Sequence, residues 1–172
     1  MTTRTPWRVL FLCTANSARS ILAEAALRRA GGDRFEAHSA GSMPRGQVNP
    51  AALELLAAEG FDITAFRSKS WDEFAAPGAP PLDFVITLCD SAAGEACPVW
   101  PGRPMTAHWG LPDPAALDDP EARRQAFAGT LRAIEARVGR LLQLPLEEMT
   151  AAEVGRALAA IGAEATGAGS KA

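Results

Sequence analysis

No apolar run in this sequence approaches the roughly 20 residues that a membrane-spanning helix needs. The amino-terminal stretch, Trp7 to Leu12, is too short and too soon interrupted to act as a secretory signal. An excess of basic charge is also missing: 17 Lys and Arg stand against 20 Asp and Glu, a net charge of -3. That argues against nucleic acid or an anionic membrane as the main partner, so any anion site has to be local. Cysteine is scarce and odd in number, at 13, 89 and 97, which makes no disulfide framework. A reducing cytoplasm is the expected compartment, where cysteines serve chemistry more often than stapling. There is no internal repeat. Apolar residues, by contrast, make up 48% of the 172 positions, enough for the core of one moderate domain.

The order of patterns is that of an α/β protein. Trp7-Arg8-Val9-Leu10-Phe11-Leu12 reads as a buried parallel strand, and Ile21 to Arg29 has helical spacing. Gly31-Gly32-Asp33 breaks the chain before a second strand, Phe35 to Gly41. After a loop over 42–48, Asn49 caps a helix with Pro50 at its first position and Gly60 at its close. Ser70-Trp71-Asp72-Glu73 has capping-box spacing and predicts a short helix ended by Pro77. Asp83 to Leu88 and Met105 to Trp109 are further strands, and Asp119-Pro120 opens a long helix to about Gln143. Thr150-Ala151-Ala152-Glu153 is another capping box, opening a helix to about Ile161. The expectation is an open parallel four-stranded sheet with helices on both faces over residues 1–145. A helical appendage follows over 146–162, then a disordered tail over 163–172.

The chemistry gathers where the first strand turns into the first helix. Cys13-Thr14-Ala15-Asn16-Ser17-Ala18-Arg19-Ser20 lies where unpaired N–H groups and the positive end of a helix dipole converge on a tetrahedral anion. Thr14, Ala15, Asn16, Ser17, Ala18, Arg19 and Ser20 are therefore the expected oxyanion-binding set. The helix terminus and the Arg19 guanidinium both favour the Cys13 thiolate; a pKa of roughly 6 would ionise about nine tenths of it at pH 7. Arg19 can grip two oxygens of the anion at once, and the Ser17 and Ser20 hydroxyls can donate to the anion or the thiolate. On its own, Cys13 also reads as an inert core thiol at a strand's end. The arginine six residues on, and the serines between, favour a nucleophile.

Two more residues reach the same sheet edge. The third strand delivers Cys89 at its carboxyl end. Asp113, in Leu111-Pro112-Asp113-Pro114, is held on a stiff turn just beyond the last strand, where an acid can protonate a departing oxygen. A turn aspartate without a task is the other reading, and Asp118 and Asp119 are neighbouring alternatives. Cys89 and Cys97 lack a third and fourth soft ligand nearby, so no metal is expected.

Cys-x5-Arg-Ser after the first strand, with Asp-Pro after the last, resembles the low-molecular-weight protein tyrosine phosphatase fold. Cys89, Cys97 and His108-Trp109-Gly110-Leu111-Pro112-Asp113-Pro114-Ala115 resemble, more specifically, the arsenate reductases built on that fold, over about residues 7 to 143. The resemblance implies a thiol-dependent oxidoreductase. Cys13 attacks the arsenic of arsenate while Asp113 protonates the leaving oxygen. Cys89 then attacks the Cys13 sulfur to release arsenite, and Cys97 carries the disulfide on to Cys89–Cys97 for an external thiol protein. For either bridge the Cα atoms have to come within about 7 Å, so the stretch 90–96 is expected to be mobile. No cofactor is held tightly; the reductant is thioredoxin, or glutathione with glutaredoxin. The second stays open because the Cys89–Cys97 separation is one residue longer than in the thioredoxin-coupled branch. Ala15 stands where many relatives have glycine. Some relatives hold potassium behind the loop. Asn16, Glu24 and Ser39 resemble three of its ligands, and Lys69 falls near the fourth, where an ammonium would replace the ion.

A phosphatase working through phosphocysteine would use the same cradle, thiolate, arginine and acid. Phosphatases of this fold tend to line their groove with aromatic residues, whereas this chain has no tyrosine and Ala115-Ala116 follow Pro114. Two further cysteines have no part in hydrolysis. A non-catalytic oxyanion-binding module would need neither Asp113 nor Cys89.

Overall fold

The computed structural model describes residues 5–89 and 98–164. Strand β1 (Trp7–Leu12) is apolar on both faces and occupies the interior of a four-stranded sheet of order β2-β1-β3-β4. Its neighbours β2 (Phe35–Ala40) and β3 (Phe84–Thr87) run parallel to it, and β4 (Met105–His108) runs parallel to β3. Leu12 pairs with both Ala40 and Thr87, so three strands end level. Residues 13, 41 and 88 therefore emerge together along one edge.

Alternation along β1 sends side chains to two cores. Val9 and Phe11 join the larger one, with α1 (Arg19–Gly31), α2 (Pro50–Ala58) and α4 (Pro120–Leu142). Leu10 and Leu12 face a smaller one with Leu82, Val85 and Trp100, closed by Trp71 and by Phe74 of the single-turn helix α3 (Asp72–Ala75). Asn49 caps α2 with Pro50 behind it, as predicted.

Two expectations change. The box at Ser70 does not form, because the Glu73 carboxylate is taken by Arg67 at 2.7 Å while Ser70 Oγ accepts from the Asp72 amide. The box at Thr150 does form and starts α5 (Ala151–Ala163), which packs on the domain. Val154, Leu158 and Ile161 are buried in the larger core, each contributing about 1.5–3 kcal/mol. Order also extends past 162, because α5 runs to Ala163 and Glu164 pairs with Arg140 at 2.6 Å. Cys97, the stretch 90–96 with its expected mobility, and residues 165–172 lie outside the described residues. Among the described residues, no helix is long and apolar enough to cross a membrane.

Candidate active site

Between the end of β1 and the start of α1 the chain wraps a loop whose carbonyls are engaged from outside. The N–H groups of Met43, Arg45 and Asn49 donate to the carbonyls of Thr14, Ala15 and Ser17 at 2.9, 2.9 and 2.8 Å, and Ser68 Oγ donates to Ala15 O at 3.1 Å. The N-cap of α1 is Ala18, which offers no capping side chain. First-turn N–H groups that a serine or aspartate would have occupied are left for an anion. The left-handed residue of the loop is Asn16, at φ 47, a residue type that tolerates this conformation, so alanine at position 15 is no obstacle. Gly41 allows β2 to end against the loop: a Cβ there would lie 2.4 Å from Thr14 O and 2.6 Å from Cys13 O.

The loop borders a cavity of about 480 Å³. Of the predicted residues, Cys13, Thr14, Ala15, Ser17, Ala18, Arg19, Cys89 and Asp113 line it. Arg19 Nη1 donates to Leu111 O at 2.8 Å, which ties the anion loop to the Asp113 loop, and its Nε is buried without a partner. Asp113 Oδ1 accepts from the Ala115 amide at 2.9 Å and caps a short turn over Pro114–Ala116. Asp119 is engaged as the N-cap of α4, and neither it nor Asp118 borders the cavity.

Asn16 and Ser20 depart from expectation. Both are fully buried beneath the loop and neither lines the cavity. Asn16 Nδ2 donates to Ser20 Oγ at 2.8 Å and to Ser39 Oγ at 3.0 Å, and its Oδ1 accepts from the Lys69 amide at 2.8 Å. Ser39 Oγ donates to Glu24 Oε1 at 2.5 Å, and the Lys69 ammonium stands 3.8 Å from the same oxygen. These residues do not fit a potassium ion: the asparagine oxygen is already engaged and a fixed ammonium faces the carboxylate. Burial pulls the Lys69 pKa below its ordinary value, and Glu24 opposes that pull.

The Cys13 and Cys89 thiols, both reduced, form a buried pair, each 5% exposed. Cys13 packs against Cys89, and Thr14 Oγ1 lies 3.7 Å from Cys89 Sγ. A hydrogen bond in which the Cys13 S–H donates to Cys89, followed by burial, pushes the Cys13 thiol well above its ordinary value. Arg19 and the Thr14 N–H pull downward, but more weakly. The lowering expected from Arg19 and the helix terminus is thus opposed: the adjacent thiol competes for the same negative charge, and two ionised sulfurs cannot share one site. Cys89→Ala is expected to lower the Cys13 pKa, which thiolate ultraviolet absorbance across a pH titration would show as a shift to lower pH.

Some residues of the site were not read from the sequence. Arg45 and Asn49 also border the cavity. Asn49 was read only as a cap, Gly41 only as the end of a strand, and Arg45 and Ser68 carried no pattern at all.

A family model described as low molecular weight phosphotyrosine protein phosphatase matches residues 8–156. The chain belongs to this family. Within it, an arsenate reductase of Bacillus licheniformis is 37% identical over 124 residues, covering 72% of this chain and 86% of the relative. The arsenate reductase of Bacillus subtilis is 36% identical over the same shares. Among solved structures, an arsenate reductase from Archaeoglobus fulgidus superposes with a TM-score of 0.60 at 29% identity, covering 79% of this chain and 99% of that one. A thioredoxin-dependent arsenate reductase from Corynebacterium glutamicum gives 0.58 at 27% identity over 81% of this chain, which spans 62% of that protein's length. A tyrosine phosphatase of Erwinia amylovora, 17% identical with a TM-score of 0.59, shares the fold of the low molecular weight phosphatase family.

Proposed function

We propose that this protein reduces arsenate to arsenite. The observation that carries the reading is the buried Cys13–Cys89 pair beside an anion cradle: ester hydrolysis has no use for a second thiol, whereas a two-electron reduction needs one. The relatives named as arsenate reductases support it.

Arsenate is held by the loop N–H groups and by Arg19, with Arg45 as a second cation at the cavity drawing the anion in. The Cys13 sulfur bonds to arsenic and one oxygen departs as water, taking a proton from the Asp113 carboxyl; the proton lost by the thiol restores that carboxyl. Cys89 then attacks Cys13 Sγ. An S–S bond forms, the S–As bond breaks, and its electron pair stays on arsenic, which leaves as arsenite carrying the Cys89 proton. Two sulfurs have lost the two electrons that arsenic gained. Cys97 exchanges with the new disulfide to free Cys13, and an external dithiol reduces Cys89–Cys97. Thioredoxin is the proposed donor, supported by the thioredoxin-dependent neighbour.

Arsenate-dependent NADPH oxidation tests this, run in parallel with thioredoxin and its reductase and with glutathione and glutaredoxin. Turnover with thioredoxin is expected; turnover only with glutaredoxin would replace the donor. Aryl phosphate hydrolysis with no arsenate turnover would overturn the proposal. Asp113→Asn is expected to lower arsenate turnover by about 10²–10⁴-fold at unchanged phosphate affinity. Full activity in that variant would remove Asp113 as the acid.

A further inference from the structure

The C-terminal helix α5 lies against β4, and the buried side chain of Arg137 links it to the Asp113 loop. Arg137, on α4, is 5% exposed. Its Nη1 donates to the carbonyls of Trp109 at 2.8 Å and Gly110 at 3.4 Å. Nη2 donates to the carbonyls of Gly162 and Glu164, each at 3.5 Å. One guanidinium thus grips the start of the acid loop with one nitrogen and the end of α5 with the other. A cation suits the carboxyl end of a helix, where carbonyls lack intrahelical partners. The contact is reinforced from both sides. Trp109 Nε1 donates to Leu158 O of α5 at 2.9 Å, and Gly162 packs so closely that a Cβ would lie 2.2 Å from His108 O.

The next carbonyl in the loop, Leu111 O, is taken by Arg19 from the anion cradle. Three successive carbonyls, 109 to 111, are therefore held by two arginines, one on the active-site side and one on the α5 side. Pro112 and Pro114 leave little backbone freedom between this anchor and Asp113. Burying a guanidinium is costly, and desolvation holds the Arg137 pKa below its ordinary value; the Glu164 carboxylate opposes that pull, and the carbonyls satisfy the N–H donors.

We propose that Arg137 is a positioning residue: by pinning the Trp109 and Gly110 carbonyls against the end of α5, it makes the C-terminal helix a brace that fixes where Asp113 meets the bound oxyanion. The proposal rests on Asp113 being the proton donor. Its test compares Arg137→Met, Arg137→Lys and, as a control, Val85→Ala, which costs packing in the smaller core and leaves both α5 and the guanidinium in place. Three quantities are read on the full chain: arsenate kcat, the dissociation constant of inorganic phosphate, and amide hydrogen exchange over 109–113.

Arg137→Met is expected to lower kcat by about 10–100-fold with unchanged phosphate affinity and faster exchange in the loop. Arg137→Lys keeps the charge but loses the fork, and falls between; it carries the test if Arg137→Met does not fold. Val85→Ala is expected to lose thermal stability and keep kcat. Unchanged exchange in both arginine variants, or an equal kcat loss in Val85→Ala, would overturn the brace. A fully active Asp113→Asn protein would instead overturn the proton-donor reading, and loop exchange would still judge the clamp.

Discussion

A Cys89→Ser protein is expected to bind phosphate normally and to lose arsenate turnover by about 10³-fold or more, the scale on which removing a nucleophile halts a reaction. Serine nearly preserves the volume at a position only 5% exposed, and its hydroxyl can still hydrogen-bond to Cys13, so the cradle should keep its shape. What is lost is the sulfur that attacks Cys13 Sγ. Arsenic would remain bonded to Cys13 until water returned it as arsenate, with no electrons moved. Intact-protein mass spectrometry after arsenate addition, alongside the coupled NADPH assay, would show an arsenic adduct without product. Any hydrolysis of aryl phosphates should persist, because that chemistry uses only Cys13, Arg19 and Asp113. Sustained arsenite production would mean that another thiol reaches Cys13 directly, and the Cys13-to-Cys89 step would have to be abandoned.

The same pair marks where reading the sequence alone falls short. Cys13 and Cys89 were placed on one sheet edge by two apolar runs, since a parallel strand has a single carboxyl end and Leu12 pairs with Thr87. Their protonation was not legible. It depends on the Cys89 hydrogen bond outweighing Arg19, a balance of distances between residues 76 positions apart. The direction of the Asn16 and Ser20 side chains was not legible for a related reason. A polar side chain in an anion loop points either to the ligand or to the scaffold, and here Ser39, Glu24 and Lys69, from three other segments, decide it. Local signals with local causes read better: the Asn49 cap and the Thr150 box depend on neighbours within three residues. The Ser70 box failed because Arg67 competes for Glu73, a contest that spacing rules do not weigh.

Glu24→Leu is expected to destabilise the protein by about 3–5 kcal/mol, read as a lower denaturant midpoint. The carboxylate is 3% exposed and serves three partners: Ser39 Oγ at 2.5 Å, Arg28 at 2.5 Å and the Lys69 ammonium at 3.8 Å. Arg28 is 43% exposed along its side chain and can turn to water, but Lys69, at 7%, cannot, and would keep only the Arg67 carbonyl at 3.0 Å. The sign with pH follows. Burial already holds the folded Lys69 pKa below its ordinary 10.5, and loss of Glu24 lowers it further. Between the depressed folded value and 10.5 the unfolded chain binds the extra proton, so the variant should regain stability as pH rises through that window. Adding Lys69→Met should restore most of the stability at neutral pH, since an apolar pair of similar volume is often neutral or better in place of a buried ion pair. It should not restore arsenate turnover. With Glu24 gone, the Ser39 hydroxyl no longer has a fixed acceptor, so one of the three hydrogen bonds that orient Asn16, the left-handed residue at the centre of the anion loop, is loosened. Recovery of stability and activity together would mean that the buried network serves the fold alone.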